Sequence, residues 1–535
     1  MSGSLVRKAV YLGLVAALLL PLALLSLPAT GAVEGQPGNP GGILAQKRDA
    51  FRMSQANLGK IDPASETIRL ATLGMRGVAA NILWAKADAC KLKEDWTGLS
   101  ATLEQIAYLQ PNYVSVWRYQ GWNLSYNISA EWDDYRDRYW WVIKGIEFLE
   151  RGIEYNENEP RLLTDVGWFA SQKIGRSDEH LQFRRLFRDD DDFHSRQQVH
   201  ERDNWLFGKE YFLAAERAVI DHGARVPTAS PAIFLSRAPL AEINDAIALD
   251  DDYAEALNAA AATTALGPEG AREFERRLDA ADRRFAALIP AAWERAAREW
   301  HDLERREFPS TSSGEPLRLD QFDATKAAID ERTKQLDALV PKGRAEVRAE
   351  KLAKLPAAER EVVLMAPRDR TKRQAEMAEA IENKLDVMPT ELAARAPQAE
   401  QAKAKTIAAE LDELDAKLGE LRSARENVNF DYWQMRCRME RTDDARASRR
   451  LLHRAMTAFL VEGDLTTARA DFEASFVAWR RVVDLHPELV TDQTAYLMLD
   501  ATRAYRAVLK QLDLPFPKEF ALQSIIDALE SQGIP

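Results

Sequence analysis

The chain has 535 residues, enough for two or three structural units, with 46% apolar and 29% charged residues. Ala, Glu, Arg, Leu and Lys dominate long stretches and alternating Val/Ile/Thr runs are nearly absent, so helix is favoured over sheet. A net charge of −12 and a pI near 5.4 argue against nucleic acid as a partner, because neutralising phosphates takes a basic field.

The amino terminus points to a membrane. Arg7 and Lys8 precede an uncharged run from Ala9 to Leu27, long enough to cross a hydrocarbon layer as a helix. Residues 1–30 are therefore expected to form a transmembrane signal anchor. The two basic residues stay on the cytoplasmic side and the body lies outside, as a single-pass protein of a bacterial cell membrane with a periplasmic body. Small residues at Pro28-Ala29-Thr30-Gly31-Ala32 also offer a cleavage site, so a removed signal peptide is the alternative. Residues 31–62, opening with a Gly- and Pro-rich stretch, are expected to be a flexible linker. The two cysteines, Cys90 and Cys437, fit no zinc motif, and one bridge between them is the single disulfide open to the chain.

Residues 63–308 carry helical patterning. A first hairpin is expected from Ile68–Lys93 and Trp96–Leu109, with Leu99, Leu103, Ile106 and Leu109 on one face at spacings of three and four. A second pairs Val114–Ile128 with Asp137–Tyr155, and a third opens at Pro160. Gly175–Asp203 reads as a charged loop, followed by a helix over Trp205–Asp221. Pro227, Pro231 and Pro239 are expected to punctuate a further hairpin, and Asp250-Asp251-Asp252 to mark a helix boundary. A charged helix spans Ala271–Glu307.

Within this block Leu109-Gln110-Pro111-Asn112-Tyr113 has a counterpart 45 residues on, Glu154-Tyr155-Asn156-Glu157-Asn158, and each leads to a Gly-Trp pair, Gly121-Trp122 and Gly167-Trp168. With Trp117 and Gly121 on a first helix, Gly145 and Phe148 on a second and Pro111 as a closing proline, the stretch resembles tetratricopeptide repeats. The resemblance is partial, since the period exceeds 34 residues and several expected alanines are missing. It implies an all-α fold of TPR-like helical hairpins, an α-solenoid that binds proteins or peptides.

Residues 309–427 differ in composition. Pro309–Pro316 reads as a linker, and the segment beyond it lacks tryptophan. Ile407, Leu411, Leu414, Leu418 and Leu421 repeat at 4,3,4,3, a coiled-coil seam, with Ile329, Leu336 and Leu339 as its opposing helix. This charged helical insertion is expected to project, and residues 322–428 offer a route to self-association. Residues 428–535 return to repeat style, with Leu451–Val461, a Gly463-Asp464 turn and Leu465–Leu485 lined by Phe472, Phe476, Trp479 and Val482. This block, with Asn427–Trp433 and the Gly175–Trp205 stretch, also resembles large envelope proteins from planctomycete-type bacteria. That resemblance implies membrane anchoring and a repeat fold and brings no activity with it.

Chemistry-bearing motifs are scarce. There is no Gly-x-Ser-x-Gly, no P-loop lysine and no cysteine near a histidine, so no catalytic residue and no cofactor are expected. The run from Asp189 to Asp203 places Asp190, Asp192, His194 and His200 as weak metal candidates. No recognised ligand spacing is present, and a solvated acidic loop is the plainer reading. Most tryptophans should fill the core. Trp117, Tyr119, Trp122, Trp132, Tyr135, Tyr139 and Trp140 are the candidates for a partner-binding surface, because Trp and Tyr anchor interfaces. The leading expectation is a non-enzymatic, membrane-anchored scaffold for protein–protein interaction. A metal-dependent envelope enzyme using the Asp189–Asp203 loop and a purely structural spacer are the alternatives.

Overall fold

The computed structural model describes residues 41–43, 46–47, 76–194, 198–226, 230–262, 268–310 and 313–531. The expected anchor and most of the linker lie outside these residues, as does the first part of the expected Ile68–Lys93 helix. Among the described residues no helix is long and apolar enough to cross a membrane. Among the described residues the fold is all-α, with twenty α-helices and one β-hairpin of two-residue strands. The chain divides into two compact units at Pro227–Thr228, a boundary inside the segment read from sequence as one repeat block.

Unit one contains α1 (Arg76–Leu92), α2 (Trp96–Leu109), α3 (Val114–Trp122), α4 (Tyr135–Tyr155), α5 (Pro160–Trp168), α6 (His180–Asp189) and α7 (Asn204–Ile220). Helices α1 and α2 pack together, α3 packs on α4, and α5 packs on α7. Aspartates cap α2, α4 and α7: Asp95, Asp134 and Asp203 each accept a bond from a first-turn N–H, satisfying donors that have no intrahelical partner. Their apolar faces meet in one core that includes Leu103, Ile106, Trp117, Ile146 and Leu149.

A precise internal likeness runs through α3 and α5. Residues 121–128, Gly-Trp-Asn-Leu-Ser-Tyr-Asn-Ile, align with residues 167–174, Gly-Trp-Phe-Ala-Ser-Gln-Lys-Ile. Both helices widen into a π-helical turn, Asn123–Ile128 and Phe169–Ile174. Both glycines stand where backbones touch. A β-carbon on Gly145 of α4 would lie 2.8 Å from the Gly121 carbonyl oxygen, and one on Gly167 would lie 2.8 Å from that of Gly208 on α7. The residue after each glycine is rotated about 100° away from that contact, which turns Trp122 and Trp168 toward solvent.

The structure corrects the reading of Gly175–Asp203 as a loop. Its first half forms helix α6, which buries Phe183, Arg184 and Phe187 against the unit-one core. Heavy charge on the outer face hid a short apolar stripe.

Unit two opens with α8 (Pro231–Ala261), one continuous helix that replaces the expected hairpin. Pro239 sits inside it and the Asp250–Asp252 run does not break it. An interior proline costs about 3 kcal/mol through its lost hydrogen bond. Burial of Ala238, Ala241, Ile243 and Ala246 along the long contact with α9 (Pro268–Arg305) offsets that.

A tight turn follows: β1 (Phe308–Pro309) pairs with β2 (Pro316–Leu317), with Phe308 and Leu317 buried. The insertion then supplies α10 (Gln321–Leu339), α11 (Gly343–Lys354), α12 (Ala357–Leu364), α13 (Lys372–Leu385), α14 (Pro389–Ala393) and α15 (Gln401–Asn427). The expected seam closes within the chain, where Ile407 and Leu411 of α15 share a core with Leu336 of α10 and Leu392 of α14. Helices α16 (Phe430–Glu440), α17 (Asp443–Thr457), α18 (Leu465–Leu485), α19 (Gln493–Gln511) and α20 (Gln523–Ser531) complete the unit. Phe472, Phe476, Trp479 and Val482 are buried in their core as expected from spacing. Gly463, at φ 71°, makes the left-handed turn before α18.

Candidate functional site

The unit-one aromatic residues divide into core and surface. Trp117 is core, at 1% exposure; its indole N–H donates to the Pro111 carbonyl at 2.8 Å, and its ring lies against Phe148 and Tyr155. Tyr139 is also buried, and its hydroxyl donates to Asp190 at 2.9 Å; burial, then the nearby Asp190 charge, pushes its pKa well up. Neither ring offers the surface that sequence position suggested. Both fall on the α3 or α4 face that meets the core, which a list of aromatic residues cannot distinguish from the outer face. Tyr135 is half-buried with the Arg136 guanidinium over its ring.

The remaining candidates are exposed: Tyr119, Trp122, Trp132 and Trp140, at 38–50%. They fall into two groups. Trp122 stacks on Tyr126 at 3.9 Å, and Tyr126 packs edge-on against Phe169. Trp168, exposed at the equivalent position of α5, hydrogen-bonds Tyr126. Burial raises the Tyr126 hydroxyl to about 12, so it stays protonated at neutral pH. Tyr119 extends the ridge to Trp84, edge-on at 5.9 Å, and Lys173 lies over the Tyr126 ring. The second group is Trp132, Trp140 and Trp141, with Lys144 over Trp140. Rings held by stacking lose little freedom on contact with a partner, which makes them effective anchors.

The acidic–histidine run has structural work instead of a shared site. Asp190 accepts from the Tyr139 hydroxyl and the Phe193 N–H, and Arg202 pairs with Asp191 at 2.7 Å. Asp203 caps α7 by accepting from Trp205 and Leu206 N–H groups, and burial raises its pKa despite Arg184. His194 is buried edge-on against Phe187 and Phe193, while Asp192 is exposed. The side chain of His200 lies outside the described residues. Among the described residues no group of three or more His, Cys, Asp or Glu is arranged to hold a metal ion. Both cysteines are free, and no disulfide joins Cys90 to Cys437.

Sequence reasoning missed a locus in unit two. Glu440 at the end of α16 is fully buried and receives Arg436 Nε at 2.8 Å and Arg449 Nε at 2.7 Å. Burial opposes its charge, but Arg449 and Arg436 more than offset this and hold the carboxyl below its ordinary value. Asp250 of α8 lies 3.8 Å from Arg449; burial, only partly countered by Arg449, raises its pKa to about 7. His453, one helical turn beyond Arg449, is lowered to about 4 by burial and by Arg449. Tyr253 stands edge-on to His453 and donates to Asp282. These groups floor a cleft of about 660 Å³ between α8, α9, α16 and α17. Signals existed in the sequence: Arg446, Arg450 and Arg454 recur every four residues, as do Phe285, Ile289 and Trp293. Nothing in the sequence says that those two stripes share one cleft.

Comparison of the chain with protein-family models, with curated proteins and with solved structures finds no match in any of the three.

Proposed function

We propose that this protein is a helical-repeat scaffold of TPR-like design, anchored in a bacterial cell membrane with its body on the periplasmic side, and that unit one binds a partner polypeptide. The observation that carries this reading is the Tyr119–Trp122–Tyr126–Trp168 ridge. Three of those rings remain substantially exposed although the core beside them is well filled. Exposed aromatic residues in a contiguous group mark interaction surfaces more often than they serve stability. The repetition of the Gly-Trp element places a ring at the same point of successive hairpins, the arrangement that lets an α-solenoid read an extended ligand. The amino-terminal apolar run supports the anchor and sets the body outside the cytoplasm.

The test is recovery of bound protein from membrane extracts with the full chain and with a Trp122→Ala/Trp168→Ala variant as bait. The variant should lose the partners held by the wild type while keeping the wild-type circular dichroism spectrum. Equal recovery of the same partners would remove the ridge from the binding surface.

A further inference from the structure

The unit-two cleft has two walls of opposite character. Helix α9 presents Phe285, Ile289 and Trp293 at intervals of four, an apolar stripe. Helix α17 presents Arg446, Arg450 and Arg454 at the same interval, a cationic stripe. Its volume of about 660 Å³ falls in the range of sites that enclose a small organic ligand.

The polar groups facing the cleft are weighted toward donors. Glu440 is neutralised by its two arginines, and Asp443 pairs with Arg446. Asp282 accepts from the Tyr253 hydroxyl. Arg450 is exposed on the cationic wall near Tyr253. On the opposite wall the buried ring of Trp293 closes the end of the apolar stripe. Asp250, held partly protonated, adds a hydroxyl donor at the floor.

We propose that the cleft binds an amphipathic monoanion, a carboxylate carried on an apolar body. Arg450 takes the carboxylate, the Asp250 hydroxyl supplies a further donor, and the body lies along Phe285 and Ile289. The planar guanidinium fits a carboxylate in two-point fashion, and the α9 stripe contributes apolar area that an inorganic anion would leave uncovered.

The probe is decanoate, titrated calorimetrically into the full chain at neutral pH, with decyltrimethylammonium and acetate as comparisons. Saturable one-to-one binding of decanoate is expected, at least about tenfold tighter than either comparison. Arg450→Glu should weaken decanoate about tenfold or more, since a charge-assisted bond becomes a repulsion. Ala286→Trp, at an exposed position on the α9 wall, should abolish binding by occupying the cleft. Both sites are exposed, so folding is preserved and is checked by melting temperature. Absence of saturable heat up to about 1 mM decanoate would overturn the proposal. So would equal affinity for the cationic amphiphile, or decanoate binding unchanged in both variants.

Discussion

Gly152 lies against the face of Trp117 so closely that a β-carbon there would be 2.8 Å from the indole Cγ. The contact brings α4 onto α3 and turns Trp117 from a candidate surface anchor into the centre of the unit-one core. Gly152→Ala should therefore destabilise by about 1–3 kcal/mol, the cost of overpacking. Trp117→Ala should cost about 3–5 kcal/mol by leaving a cavity, while the Pro111 carbonyl keeps its second donor, the Asn156 side-chain amide. Urea denaturation of the full chain measures both, and an unchanged unit-one transition in Gly152→Ala would show that the helices do not meet as described.

Exposed rings should behave in the opposite way. Trp132→Ala and Trp140→Ala remove half-exposed side chains, and each should shift stability by no more than about 0.5–1 kcal/mol. The same denaturation series tests this. A loss comparable to that of Trp117→Ala would place these rings in a packed interface.

Glu440→Gln should be among the most damaging single changes in unit two. It leaves Arg436 and Arg449, both nearly buried, without their shared carboxylate, a loss of about 3–5 kcal/mol. A Glu440→Leu/Arg449→Met double variant should be less unstable than Glu440→Gln, because it removes a charge from each side. The order of the three melting temperatures decides the matter, and a double variant at or below the single would contradict it.

Asp250 and His453 should give opposing pH effects. The Asp250 pKa rises from 3.8 to about 7 on folding, so its stabilising protonation is complete below 3.8 and is lost as pH climbs through 7. The His453 pKa falls from 6.5 to about 4, so the unfolded chain binds the extra proton between these values and stability drops as pH falls through that window. Between pH 4 and 6.5 the two slopes offset each other in the wild type. Asp250→Asn should expose a stability that rises with pH across that range. His453→Asn should expose one that falls with pH, each by on the order of 1 kcal/mol or more. Melting temperatures at pH 4.5 and 6.5 measure both slopes; parallel profiles in the two variants would show that the groups are not buried as described.

Local pattern alone determined much of this protein. Helix Trp96–Leu109 was legible to the residue because its apolar period, acidic start and closing Pro111 all agree. The Leu465–Leu485 helix and the α10–α15 seam were legible for the same reason: one face of each carries large aliphatic or aromatic groups at helical spacing. Where local signals disagreed with packing, packing decided. Pro239 and three consecutive aspartates predict breaks, yet α8 runs through both, because its alanine-rich face is covered by α9. The Arg- and Asp-rich 180–203 segment conceals α6, whose few aromatic residues matter only once a core is there to receive them.

The candidate sites follow the same division. Composition showed that unit one is rich in aromatic residues, but only tertiary structure separates Trp117 and Tyr139 from Trp122 and Trp140. Spacing on a helix fixes which residues share a face, without saying which face meets the core. The cleft was beyond the sequence altogether, because Asp250, Trp293, Glu440 and His453 come together from four helices across some two hundred residues. Their charges and donors acquire altered proton affinities only after burial removes water from around them.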